Sequence, residues 1–162
     1  MLNSLLSKFD AHIDEASAHC DIPCGIYDPQ PALYHALSTV RQMDILIGLK
    51  DKEMNVHTAM QVARNTAEKE KQAEKVKAEI RIIWGDFIKG DKFEKFPNAH
   101  DLSHKIMMKA SACKQDLHRE DGEALVELVN EFAEMFWDMK GVKHKRVTAP
   151  YAPALEVVYP DL

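Results

Sequence analysis

The residues best suited to chemistry lie together in the stretch HCDIPCGIYD, which begins at His19. Cys20 and Cys24 stand four positions apart beside this histidine, and Pro23 and Gly25 disfavour a regular helix there. Thiolates and an imidazole on a short loop are soft donors, which suit late transition metals rather than magnesium or calcium. The spacing therefore predicts a metal site.

Other interpretations stay open on this spacing alone. The two cysteines could be buried thiols, or they could form a disulfide, which a reducing cytoplasm disfavours. Zinc is the most ordinary metal for such ligands, but zinc usually needs four of them, and the chain has no second cysteine pair. The third cysteine, Cys113, falls on an apolar helical stripe, where a buried thiol is expected.

Residues 1–18 precede this loop and affect its chemistry. Their last three residues, ASA, resemble a signal-peptidase site, but the apolar residues before them are spaced as in a short amphipathic helix. An ordinary first helix and a leader removed by a dedicated protease both fit. Cleavage after Ala18 would free the amine of His19, whose reference pKa is roughly 7.7–8. With the amide of Cys20 and two thiolates, this amine makes a planar set of nitrogen and sulfur donors, which Ni(II) and Cu(II) prefer.

Composition excludes several classes of protein. The length of 162 residues predicts one domain. Lys and Arg number 21 against 26 Asp and Glu, and this net charge of −5 argues against nucleic acid as a partner. No apolar run reaches the length of about 18 residues that a membrane span needs.

The elements behind the loop are predicted to be helices. Four stretches carry apolar residues at intervals of three and four; they begin after Pro31, near Glu53, after Asn98 and after a turn at Asp121-Gly122. The second is expected to run to about residue 89, with a solvated Lys/Glu face over residues 68–75. The short breaks predict an all-α fold, an antiparallel four-helix bundle over residues 29–141.

The tail, residues 142–162, is predicted to be extended. Its three prolines exclude a helix, and the sequence leaves open whether the tail is loose or lies on the bundle or on a neighbouring subunit.

The stretch of residues 19–29, HCDIPCGIYDP, resembles the nickel hook of the nickel-containing superoxide dismutase family, whose pattern is HCxxPCGxY at the mature N-terminus. Further motifs resemble the family at the expected places: WxDxxK from Trp84, FExxPxxHxL from Phe93 and FWxxK from Phe136. The resemblance covers about residues 19–140.

The resemblance implies that two superoxide ions and two protons become O₂ and H₂O₂ while nickel cycles between Ni(II) and Ni(III). It implies one nickel per subunit, a homohexamer in the bacterial cytoplasm, and a maturation protease that removes residues 1–18. The implied equatorial ligands are the amine of His19, the amide and thiolate of Cys20, and the thiolate of Cys24. The imidazole of His19 is the implied axial ligand.

Further residues match family positions around the metal. By resemblance, Pro23 shapes the hook, residues 19–28, and Asp21 lies near the metal. Tyr27 orders water or the incoming anion, and Lys89 helps to attract that anion.

Three positions depart from the better-known members of the family. Aligned without gaps from the hook, His35 stands where those members have a glutamate that helps to hold the axial imidazole. Counting back from Trp84, Gln72 stands at the position of an arginine, and Phe87 stands at that of a second tyrosine. We hypothesise that His35 or Gln72 supplies a substitute hydrogen bond to His19.

Two alternative functions remain. One is a helical-bundle protein that binds nickel or zinc without redox cycling, and the other is a structural oligomer with inert cysteines.

Overall fold

The computed structural model describes residues 25–162, which are mostly helical. The elements of this part are α1 (Gln30–Ile47), α2 (Val56–Ile82), a π-helical turn (Ile83–Phe87), α3 (Asp91–Lys95), α4 (Ala99–Gln115), α5 (Arg119–Lys140), β1 (His144–Thr148) and β2 (Glu156–Pro160). Among these residues, every helix is too short or too polar to cross a lipid bilayer.

The four long helices form a ring of neighbours around one core. Helix α1 packs on α2 and α5, and α4 packs on the same two helices from the other side. The largest fully buried side chains come from all four, and they include Phe132, Phe136, Leu33, Ile80 and Ile106. The predicted apolar stripes therefore face one another, apart from residues at the helix ends such as Ile47, which is exposed.

Local sequence explains where these helices begin and end. The side chain of Asn55 caps α2 by accepting a hydrogen bond of 2.9 Å from the backbone N–H of Thr58. Gly141 ends α5 with a φ of +67°, a left-handed conformation that favours glycine. Helix α5 therefore ends at the predicted bound of the bundle, residue 141, and α1 ends at Ile47, before Gly48.

The turn predicted at Asp121-Gly122 is wrong, because both residues lie in the first turns of α5. Gly122 is buried where α5 crosses α1. A Cβ atom on it would stand 2.9 Å from both Met43 Sδ and Val40 Cγ2. Gly122 therefore allows α5 to pack closely against α1, and it does not end a helix.

The second helix also ends earlier than predicted. Helix α2 stops at Ile82, and in the π-helical turn the N–H of Ile88 donates to the carbonyl of Ile83, five residues back, at 3.1 Å. The wider turn shifts the following side chains around the axis. Trp84, within this turn, is 36% exposed.

The tail is an ordered antiparallel hairpin, formed by β1 and β2. His144 pairs with Pro160 at its open end, and two of the three prolines lie in the connecting loop, where no ladder hydrogen bond is needed. Val157 and Val158 of β2 are buried in the core of the same chain. Of the alternatives left open, the structure therefore shows the tail lying on its own helices.

Polar side chains of the helices hold this hairpin. Buried Asn130 of α5 accepts a hydrogen bond from the N–H of Val158 and donates one to the carbonyl of Glu156, both at 2.9 Å. Gln30, in the first turn of α1, donates to the carbonyl of Val158. Arg146 of β1 binds two carboxylates of α5. The hairpin thus joins the last helix to the start of the first.

We expect Asn130→Ala to lower the free energy of unfolding by about 1–3 kcal/mol, because it leaves the buried N–H of Val158 and the partly buried carbonyl of Glu156 without their partner. Urea denaturation of matched samples measures this loss. Asn98→Ala is the control, since Asn98 is exposed and its side chain makes no capping bond. Equal stability of the two variants would contradict the assigned role of Asn130.

Candidate metal centre

The predicted metal ligands lie outside the described residues. These are His19, Cys20 and Cys24, and the supporting residues Asp21 and Pro23 lie there too. Between residues 25 and 162, no group of three or more His, Cys, Asp or Glu side chains is arranged to hold a metal ion. That part of the chain includes residues 25–28, the end of the hook.

Cys113 is excluded as a ligand by its environment. Its side chain is fully buried in α4, as predicted, and burial raises the pKa of the thiol to about 11. A metal ligand must be a thiolate, and this thiol stays protonated at neutral pH.

Tyr27, at the end of the hook, packs against an aromatic pair anchored in the core. Its ring centroid lies 5.5 Å from that of Phe87, which lies 4.9 Å from that of the buried Phe136. Both ring pairs are tilted, within the range of favourable aromatic contacts. Phe87 has no hydroxyl group, so it holds Tyr27 by apolar contact.

The structure brings together His35 and Gln72, two positions that departed from the family pattern. Nδ1 of His35 on α1 lies 2.6 Å from Oε1 of Gln72 on α2. Gln72 is 8% exposed, and its Nε2 donates to a carboxylate oxygen of Glu68. These three side chains form one hydrogen-bonded chain across the α1–α2 contact.

The direction of this chain sets the proton of His35. A carboxylate only accepts hydrogen bonds, so Gln72 presents its amide N–H to Glu68 and its oxygen to His35. The Nδ1–H of His35 then donates to that oxygen, and a neutral ring has its Nε2 lone pair free to accept. A neutral His35 ring can therefore accept a hydrogen bond at Nε2.

The solvated face predicted over residues 68–75 is wrong at Lys69, which is only 4% exposed. Glu68 keeps a partly exposed side chain while it binds Gln72. Lys69 Nζ donates to three backbone carbonyls at the end of α4, at 2.7–3.2 Å. Desolvation lowers the pKa of this lysine. Its position, seven residues before the buried Val76, was the signal that sequence reasoning missed.

Lys89, the lysine predicted to attract the anion, differs in its contacts from Lys92 and Lys140. Lys89 is exposed after the π-helical turn. Lys92 and Lys140, which sequence reasoning did not assign to the site, point their ammonium groups at the ring of Phe87, at 4.9 and 5.3 Å from its centroid. Lys140 belongs to a motif that resembles the family; Lys92 carried no signal.

Comparison with known proteins identifies the family. The sequence model of nickel-containing superoxide dismutase matches residues 14–140, and the chain belongs to that family. It is 31% identical over 136 residues to the "Superoxide dismutase [Ni]" of Streptomyces coelicolor, covering 84% of this chain and 98% of the relative. The protein of the same name from Streptomyces seoulensis is 29% identical over the same length.

Solved structures agree with this assignment. A native structure of nickel superoxide dismutase superposes with a TM-score of 0.66 at 30% identity, covering 75% of this chain and 99% of the other. A structure whose nickel ligation corresponds to the oxidized state gives a TM-score of 0.66 at 28% identity, with 76% and 99% covered. The hairpin, residues 144–160, lies beyond the part that the family model matches.

We expect Cys113 to resist iodoacetamide in the folded, metal-free protein at pH 8, because its thiol is buried and protonated. Peptide mass spectrometry measures alkylation at each cysteine, and unfolded protein provides the fully reactive reference. Alkylation of Cys113 at the same rate in folded and unfolded protein would contradict its burial.

Proposed function

We propose that the chain disproportionates superoxide at a nickel ion held by the hook, residues 19–28, of the mature protein. The enzyme class, superoxide dismutase, and the nickel cofactor follow from membership of the family. The observation that carries the proposal is the family match over residues 14–140, which includes the stretch HCDIPCGIY. When bound, nickel supplies the one-electron Ni(II)/Ni(III) couple that dismutation requires.

The proposed donors are the amine and imidazole of His19, the amide and thiolate of Cys20, and the thiolate of Cys24. The amine exists only after a maturation protease removes residues 1–18, because the nitrogen of His19 is otherwise part of a peptide bond. Thiolate and anionic amide donors are strong electron donors, which stabilise an oxidised metal. The burial of Cys113 supports this set, since it removes the remaining thiol.

The proposed assembly is a homohexamer of antiparallel four-helix bundles in the bacterial cytoplasm. The ring of contacts among α1, α2, α4 and α5 supports the bundle. A reducing compartment supports the site, because it keeps Cys20 and Cys24 as free thiols that can bind metal.

The residues around the hook take distinct proposed roles. Pro23 shapes the loop, Asp21 lies beside the metal, and Lys89 adds positive charge that favours an anionic substrate. Tyr27 orders water or superoxide at the open side of the metal, and its contact with Phe87 keeps its ring in place.

His35 takes the place of the family's glutamate in this proposal. Its Nε2 accepts a hydrogen bond from the imidazole of His19, while Gln72 and Glu68 hold the ring in the required tautomer. The 2.6 Å contact between His35 and Gln72 supports this role, because it assigns the proton to Nδ1.

Removing either hook thiolate should abolish nickel binding and activity together. Cys20→Ser and Cys24→Ser, each prepared from residue 19 onward, are expected to lose at least about 100-fold in dismutase rate, and nickel per chain should fall to background. Cys113→Ser is the matched control and should keep both. Full nickel and full activity in either hook variant would contradict the ligand assignment.

The leader provides a second test of the same centre. Protein that retains residues 1–18 should bind no nickel in the active form, and cleavage after Ala18 with nickel present should produce activity. Metal analysis, intact mass and superoxide decay measure the three events separately. Uncleaved protein with stoichiometric zinc and no activity would instead favour the non-redox metal-binding alternative.

The proposed role of the hydrogen-bonded pair His35 and Gln72 can be tested by spectroscopy. In the protein with both His35→Ala and Gln72→Ala, the axial nitrogen signal of Ni(III) in electron paramagnetic resonance should weaken, and the rate should fall about 10–100-fold. Glu70→Ala, an exposed change on the same helix, is the control. An unchanged spectrum in the double variant would overturn the proposed hydrogen bond to His19.

A further inference from the structure

Two ammonium groups converge on the aromatic ring that holds Tyr27. Lys92 Nζ lies 4.9 Å from the ring centroid of Phe87, and Lys140 Nζ lies 5.3 Å from it. The ring centroid of Tyr27 lies 5.5 Å from the same point. Lys92 belongs to the short helix α3 and Lys140 is the last residue of α5. Tertiary packing therefore brings two cations from separate elements to the end of the hook.

Among the residues that the structure describes, neither ammonium group has a carboxylate oxygen within ion-pair distance, although Lys92 also interacts electrostatically with its neighbour Asp91. Of the carboxylates close in sequence, Asp91 pairs with Lys95 at 2.8 Å and Asp138 with His144 at 3.2 Å. Asp86 and Glu94 lie in the same region of sequence without pairing to either lysine.

The convergence of two like charges is unfavourable in itself. Each cation gains about 0.5–1 kcal/mol from the face of an aromatic ring at an exposed site, which holds the ammonium group near the ring without removing its charge. The two ammonium groups therefore place positive charge beside Phe87 in a chain whose net charge is −5. Such local charge accelerates the approach of a small anion that the chain as a whole repels.

We propose that Lys92 and Lys140 form a cationic entrance, at the ring of Phe87, that attracts superoxide to the hook. This inference rests on the proposed function and adds two residues to it. The two lysines act on the encounter with a small monoanion and do not contact the metal. The two lysines raise the second-order rate constant for the reaction with superoxide, and this increase becomes smaller as salt screens their charges.

The test uses mature, nickel-loaded protein with Lys92→Gln and Lys140→Gln, singly and together. Direct superoxide decay after pulse radiolysis gives the second-order rate constant from about 10 to 300 mM ionic strength, where the Debye length falls from about 30 Å to below 8 Å. The double variant should lose about 3–10-fold at low salt and should show a flatter dependence on salt. Lys92→Arg with Lys140→Arg should restore both.

A matched control separates the local charges from the net charge. Lys105 is an exposed lysine paired with Asp101 at 2.7 Å, so Lys105→Gln changes the net charge equally away from Phe87. It should change the rate by less than about 1.5-fold. Nickel content and the Ni(III) spectrum should match wild type in every variant, because none of these lysines holds the metal.

The outcomes distinguish this inference from the proposed function. An active, nickel-loaded wild type whose rate and salt dependence are unaffected by the double variant would overturn the cationic entrance and leave the dismutase assignment standing. An equal loss in Lys105→Gln and Lys92→Gln would also overturn it, since net charge would then explain the effect. A nickel-loaded wild type without dismutase activity would overturn both.

Discussion

The packing of helix α1 is the constraint on which the rest of the structure depends. This helix begins directly after the hook and is held on three sides. Gly122 lets α5 approach it closely, His35 bonds across to α2, and Gln30 in its first turn bonds to β2. Because the chain enters the core through these contacts, the direction in which the hook leaves the helices is determined by interior packing.

Polar groups at buried positions make further connections between elements. Asn130 satisfies two backbone groups of β2, and Lys69 satisfies three carbonyls at the end of α4. Leaving such groups unpaired in the interior costs more than an ordinary contact contributes, so each interaction specifies one arrangement of its elements. Hydrogen bonding and apolar packing also occur near the start of α1. Gln72 bonds to His35, and the Tyr27 ring packs against Phe87.

Three residues depart from the positions that the resemblance to the family implies. His35, Gln72 and Phe87 replace an implied glutamate, arginine and tyrosine, yet they form contacts of their own across α1, α2 and the π-helical turn. His35 and Gln72 form a hydrogen-bonded chain that ends on the carboxylate of Glu68, and Phe87 offers Tyr27 an apolar face. All three positions lie outside the proposed ligand residues 19–24.

The amino-acid sequence by itself determined the helical class, the boundaries set by Asn55 and Gly141, and the identity of the family, because helical period, capping residues and the hook motif are local patterns. Only the tertiary structure decided the roles of Gly122, Lys69, Lys92 and the tail. The sequence wrongly predicted a turn at Gly122 and a solvated surface at Lys69, because the residues that they contact are far away in the sequence. Lys92 and Lys140 meet at one ring only because α3 and α5 pack beside it. Such roles depend on which distant residues become neighbours, and local periodicity carries no information about that.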